Sequence, residues 1–168
     1  IWIKKYFSKD TMTHDKPDLS PKIALYEPDI PQNTASIIRT CSCLGAQLEI
    51  IEPCGFLFSD KRFKRVVMDY MEEDKIKLYK SSDEFFKSKK EQRVILITTK
   101  AIKLYTEFDF KSNDTLLFGR ESAGVPENLH KTIGNKIKIP MNEKARSLNV
   151  AISVAIIASE ALRQNKLF

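Results

Sequence analysis

KIKIPMNEKARSLNVAISVAIIASEA, Lys136–Ala161, is the stretch from which the rest of the chain is read. Ile137 and Ile139 alternate with Lys136 and Lys138, a strand pattern that Pro140 ends. A polar loop, Met141 to Arg146, leads to Ser147-Leu148-Asn149, where a long apolar segment opens. The Ser147 hydroxyl can accept from a first-turn backbone N–H, which makes Ser147 the expected N-cap. From Val150 to Ala161 nearly every residue is apolar or small, which predicts a helix buried on more than one face. Such a helix begins with side chains that hydrogen-bond, and it places them where water is scarce.

Working outward, apolar runs alternate with helical patterns. Lys22–Tyr26 (KIALY), Gln47–Ile51 (QLEII) and Lys75–Lys80 (KIKLYK) read as strands. So do Arg93–Thr99 (RVILITT) and Thr115–Phe118 (TLLF), whose unbroken apolar character signals burial on both faces. Asn33 or Thr34 is the expected cap of a helix with Ile37, Ile38, Cys41 and Leu44 on one stripe, closed by Gly45. Ser82–Lys89 and Pro126–Ile133 read as shorter helices. In DKRFKRVVMDY, Phe63, Val66 and Val67 form the expected buried side of a helix. Lys61, Arg62, Lys64 and Arg65 are then left as a cationic face suited to phosphates. Residues 1–20 lack a period and are expected to be an extension outside a single domain spanning 21–168.

Strands alternating with helices predict an α/β fold with a parallel sheet. Ligands of open sheets of that kind lie beyond the carboxyl ends of the strands. Three segments fit that position: EPDIPQNTASIIR, FGRESAGVP and IPMNEKARSLN. There is no GxGxxG or GxxxxGK[ST], and Gly is scarce at five residues, so a ligand without phosphates fits best.

Composition narrows the partners. At 168 residues with 42% hydrophobic and 30% charged residues, the chain suits one globular domain. No apolar run approaches the roughly 18 residues needed to span a bilayer. IWIKKYF is too short in its apolar part for a secretory signal. Cys41, Cys43 and Cys54 offer no CxxC spacing, so reduced thiols, a cytoplasmic location and no metal site are expected. The formal net charge of +6 favours a polyanionic partner.

EPDIPQNTASIIRTCSCLG, LLFGRESAGVP and IKIPMNEKARSLNVAISVAI together resemble the three ordered motifs of the SPOUT methyltransferases. IIEPCGFLFSDKRFKRVVMDY further resembles the TrmL-type group, which methylates the 2′-hydroxyl of the tRNA wobble nucleotide. The resemblance implies a C-terminal trefoil knot and a homodimer whose interface completes each site. It also implies tRNA as substrate and S-adenosyl-L-methionine as cofactor. Carried onto this chain, the cofactor pocket corresponds to Ile97, Thr98, Gly119, Ile139, Met141, Ser147 and Leu148. The catalytic set corresponds to Arg39, Asn33, Glu121 and Asn149. Two departures from the family pattern bear on substrate preference: Ala35 stands where Gly is usual, and Ala151 and Ile152 follow Val150 where a polar pair is common. The competing readings are ribose methylation of another RNA such as rRNA, which the short N-terminal tail disfavours, and a catalytically inactive RNA-binding module.

Overall fold

The computed structural model describes residues 20–67, 70 and 76–167; the expected extension over 1–20 lies almost wholly outside them. Six strands form one sheet in the order β3-β2-β1-β5-β4-β6. These are β1 (Lys22–Tyr26), β2 (Gln47–Ile51), β3 (Ile76–Tyr79), β4 (Val94–Ile97), β5 (Thr115–Phe118) and β6 (Asn135–Ile137). Every pairing is parallel, with Ile23 opposite Leu48 and Leu25 opposite Phe118 in the central ladders. β3 and β6 are shorter than their apolar runs suggested, as edge strands often are.

Alternation along the strands sorts side chains onto two faces. Ile23, Leu25, Leu48, Ile50, Leu116 and Phe118 face α1 (Pro31–Leu44), α2 (Lys61–Val67) and α5 (Val150–Gln164). Ala24, Tyr26, Ile51, Leu96 and Leu117 face α3 (Ser82–Ser88) and α4 (Glu127–Thr132) through Phe85, Phe86 and Leu129. The result is three layers, with the sheet buried on both sides as the unbroken runs in β4 and β5 required.

Helix ends correct several expectations. α1 starts with Pro31 in its first turn and Ile30 as a cap without a side-chain bond, not at Asn33 or Thr34. Proline lacks the N–H that a cap would satisfy and fixes φ for a helix start. α1 does end at Gly45, whose φ of 70° is the left-handed conformation that favours glycine. α5 is capped by Asn149, whose Oδ1 accepts from the amides of Ala151 and Ile152 at 2.8 and 3.3 Å, and not by Ser147. Val66 is 66% exposed, while Phe63 and Val67 are buried. Val66 therefore lies at the open edge of the face that Phe63 and Val67 bury.

α5 buries Val154, Ile157, Ala158, Ala161 and Leu162, but leaves Ile152 54% exposed. Its apolar character therefore exceeds what this one sheet covers. Among the described residues no helix is long and apolar enough to cross a membrane. All three cysteines are free thiols, and burial pushes the Cys41 thiol up to about 12.

One buried charge pair sits between β2 and the end of α3. The Lys89 Nζ lies 2.7 Å from both carboxylate oxygens of Glu49, and the Tyr79 hydroxyl donates to Glu49 at 3.2 Å. Burial holds the Lys89 ammonium below its ordinary range, with Glu49 partly offsetting that. Removing one partner strands the other charge in a dry environment. Lys89→Met should therefore cost about 3–5 kcal/mol of stability. Lys89→Met combined with Glu49→Leu should recover most of that, and urea unfolding of the two variants measures the difference.

Candidate active site

The strand order reverses between β1 and β5, and the carboxyl ends of β1, β5, β4 and β6 open onto one cleft of about 550 Å³. All seven residues expected in the cofactor pocket line it: Ile97, Thr98, Gly119, Ile139, Met141, Ser147 and Leu148. Asn33, Glu121 and Asn149 line it too. Arg39 does not. It lines a second pocket on the other side of α1, where its guanidinium sits 4.8 Å from the centre of the Tyr70 ring.

Local geometry explains this division. Asn33 lies in the first turn of α1 and Arg39 six residues on. That is short of two full turns at about 3.6 residues per turn, so the two side chains leave the helix in different directions. Asn33 spends both ends of its amide inside the cleft. Its Nδ2 donates to Glu121 Oε1 at 3.0 Å, and its Oδ1 accepts from Asn149 Nδ2 at 2.9 Å. The other Glu121 oxygen accepts from the Asp29 amide at 2.9 Å. Three loops from distant parts of the chain are thereby joined by one polar chain.

A second set of contacts holds the same loops. Arg120 donates to the Glu27 carbonyl at 3.3 Å and lies 3.0 Å from the Glu27 carboxylate and 3.4 Å from that of Asp29. Asp29 also accepts from the Ser122 amide at 3.1 Å and from the Ser122 hydroxyl. The Ser122 hydroxyl is the main reason the Asp29 carboxyl lies below its ordinary range; the Ser122 amide and Arg120 add to this and burial opposes it. Gly119 and Gly124 pass so closely that a Cβ on Gly119 would fall 2.5 Å from the Gly124 carbonyl carbon. Only glycine at 119 allows the loop after β5 to fold back this tightly.

The chemistry of the lining is selective. Glu121 is the single carboxylate among the cleft residues, and the cationic side chains there are already engaged: Arg120 with Glu27 and Asp29, Lys100 with Glu127 at 3.4 Å. Leu96, Ile97, Ile139, Leu148 and Val150 supply apolar surface. A cleft with one carboxylate and committed cations suits a positively charged nucleoside better than a nucleotide with phosphates. Cys54, near Glu52, Glu27 and Glu121, is pushed up to about 12 by burial and by those charges, so its thiol stays neutral. Among the described residues no group of three His, Cys, Asp or Glu side chains is placed to hold a metal.

Sequence reasoning missed Ile30, Thr99, Lys100, Arg120, Ser122 and His130, which also line the cleft. Thr99, Arg120 and Ser122 are immediate neighbours of residues it named, so loop continuity was the available signal for them. His130 had none; its Nε2 is buried without a hydrogen-bond partner. Of the cationic face, Lys61, Lys64 and Arg65 are exposed on α2 as expected, and the Arg62 side chain lies outside the described residues. Ala35 is buried against the second pocket, not the cleft.

Asn149 has two separable roles, capping α5 and donating to Asn33. Asn149→Ala removes both and should cost about 1 kcal/mol of stability. Asn149→Asp keeps the acceptor that caps the helix but puts an anionic oxygen against Asn33 Oδ1. It should leave the melting temperature nearer to wild type than Asn149→Ala does, and thermal melts of the pair check this.

The SpoU rRNA Methylase family profile matches residues 20–159. A curated tRNA (cytidine(34)-2′-O)-methyltransferase of Beijerinckia indica is 45% identical over 144 residues, which is 84% of this chain and 90% of that protein. A solved structure described as giving insights into the 2-OH methylation of C/U34 on tRNA is 35% identical with a TM-score of 0.84. It is matched over 90% of this chain and 100% of its own. The AdoMet-bound rRNA methyltransferase of Sinorhizobium meliloti is 27% identical with a TM-score of 0.78, covering 88% of this chain and 57% of that one. With its sheet order, its cleft and its three motifs in register, the chain belongs to the SpoU methylase family.

Proposed function

We propose that this protein transfers a methyl group from S-adenosylmethionine to the ribose 2′-oxygen of the tRNA wobble nucleotide, cytidine or a modified uridine at position 34. The observation that carries the reading is the convergence of Asn33, Glu121 and Asn149 with the seven pocket residues in one cleft. The relatives named for that reaction are 45% and 35% identical to this chain, whereas the rRNA methyltransferase is 27% identical. That difference favours tRNA over rRNA.

Bound in the cleft, S-adenosylmethionine would supply a methyl group activated by its own sulfonium charge. Ile97, Ile139 and Leu148 would exclude water from it, and the turn at Gly119 would bring backbone close enough to fix the adenosyl group. Glu121, held by Asn33 and the Asp29 amide, is positioned to favour a cation. The chain's remaining task is to align a ribose hydroxyl and to stabilise the charge that develops on its oxygen. A guanidinium has donors and no acceptor, so Arg39 suits that stabilising role and contact with the adjacent phosphate.

Arg39 stands outside the cleft of its own chain, and Ile152 leaves apolar surface of α5 uncovered. Both observations support a homodimer in which Arg39 of one protomer serves the cleft of its partner. A domain over 21–168, the trefoil knot and a cytoplasmic location belong to the same proposal. Light scattering should give the mass of a dimer at micromolar concentration.

Arg39→Ala should lower single-turnover methyl transfer about 100-fold or more while leaving S-adenosylmethionine titration nearly unchanged. Arg39→Lys should rescue poorly, since a point charge lacks the planar fork. Near-normal turnover in Arg39→Ala, or loss of cofactor binding in a folded variant, contradicts this role. Neutralising Lys61, Arg62, Lys64 and Arg65 together should weaken tRNA binding and flatten its salt dependence without moving cofactor affinity.

A further inference from the structure

The second pocket, about 670 Å³, shares no lining residue with the cleft, although both are built on α1. Phe56, Phe63 and Ala35 contribute its buried and half-buried apolar side, and Phe56 and Phe63 pack with ring centres 5.1 Å apart. Tyr70, Val66, Leu57, Pro31 and Arg39 line the rest, with Val66 66% exposed, together with Asp60, whose carboxylate accepts from the Phe63 amide at 3.2 Å. Gln32 and Ser36 add exposed hydrogen-bonding groups along the α1 side. We infer that this pocket is a stacking site for one unpaired nucleobase of the bound RNA, an inference that rests on the reading of tRNA as substrate.

α2 turns Phe63 toward the pocket and leaves Lys61, Lys64 and Arg65 exposed, so one short helix offers an aromatic wall and phosphate-binding cations side by side. That pairing of aromatic platform and cationic track is how proteins hold single-stranded nucleic acid without reading its sequence. The Arg39 guanidinium over Tyr70 adds a planar cation at the same edge. A second copy of the chain is the other candidate for an apolar patch, and the exposed cations of α2 beside it favour a polyanion. With Arg39 on the ribose and phosphate of the reacting nucleotide, a base beside that phosphate is within reach of Tyr70.

The test uses the full chain and anticodon stem-loop RNAs carrying 2-aminopurine, or an abasic nucleotide, at each loop position in turn. Wild-type protein should quench 2-aminopurine at one position, and Tyr70→Ala should abolish that quench and raise the Kd about tenfold, as loss of one base–aromatic stack does. An abasic nucleotide at the same position should cost the wild type as much and cost Tyr70→Ala nothing further. Val66→Asp, at an exposed position, should reproduce the loss, and unchanged S-adenosylmethionine titration shows that both variants are folded. Wild-type affinity in both variants, or additive losses with the abasic RNA, overturns the inference. A change in sedimentation alone also overturns it, by assigning the patch to a second copy. These failures leave tRNA methylation by the wild type intact; absence of tRNA binding and methylation in the wild type would instead refute the substrate reading itself.

Discussion

The Asn33 side chain bonds at both ends, to Glu121 and to Asn149, and the cleft takes its shape from that double attachment. The partners are 88 and 116 residues away in sequence, so the first turn of α1, the loop after β5 and the start of α5 have no local reason to meet. Sheet pairing brings β1 and β5 together, but it leaves the loops beyond them free to choose an arrangement. An amide that donates on one side and accepts on the other selects one arrangement. The Glu121 end of this chain is partly buried, where an unpaired member is costly, while the Asn149 end is exposed. The Asn149 cap extends the chain into the backbone of α5, so helix start and cleft wall are fixed by the same residue.

Beneath that network the loops are held a second time by charge and by steric closeness. Arg120 bridges Glu27 and Asp29 across from β5 to β1, and Gly119 lies against Gly124 with no room for a side chain. The two sets of contacts act on the same loops through different groups, so loss of one leaves the other in place.

The sheet was legible in the sequence because burial on both faces leaves an unmistakable mark. Lys22–Tyr26, Gln47–Ile51 and Thr115–Phe118 match the structure to the residue. The Gly45 cap was legible, but the helix starts were not: Asn149 rather than its neighbour Ser147 caps α5, and α1 starts at Pro31 after Ile30, which makes no side-chain cap bond. Asn33 was misread as a cap for the reason that makes it interesting: its side chain is committed to Glu121 instead. Val66 shares a face with Phe63 and Val67 by spacing, yet it lines the open second pocket instead of the core. In α5 the pattern was nearly uniform, so it announced burial without saying that Ile152 would remain outside. The cleft residues were found through resemblance, and the direction in which Arg39 points needed the structure.

Electrostatics then follow from where α1 stands. On its cleft side the cations are spent on neighbouring carboxylates and a single carboxylate, Glu121, faces the space. On its other side Arg39 lies over the Tyr70 ring in a pocket that Asp60 also lines, and Lys61, Lys64 and Arg65 are exposed on α2, whose Phe63 and Val66 reach that pocket. A positively charged cofactor and a polyanionic substrate make opposite demands on a surface, and one patch cannot meet both. Under the proposed function the two lie on opposite sides of a helix about 10 Å across, so each keeps its own field. In that proposal the group that stabilises the reacting oxygen and the pocket that holds the methyl donor share no wall within one chain. The proposed second protomer would bring its Arg39 side to the first one's cleft and restore the contact without adding like charges to the cofactor pocket.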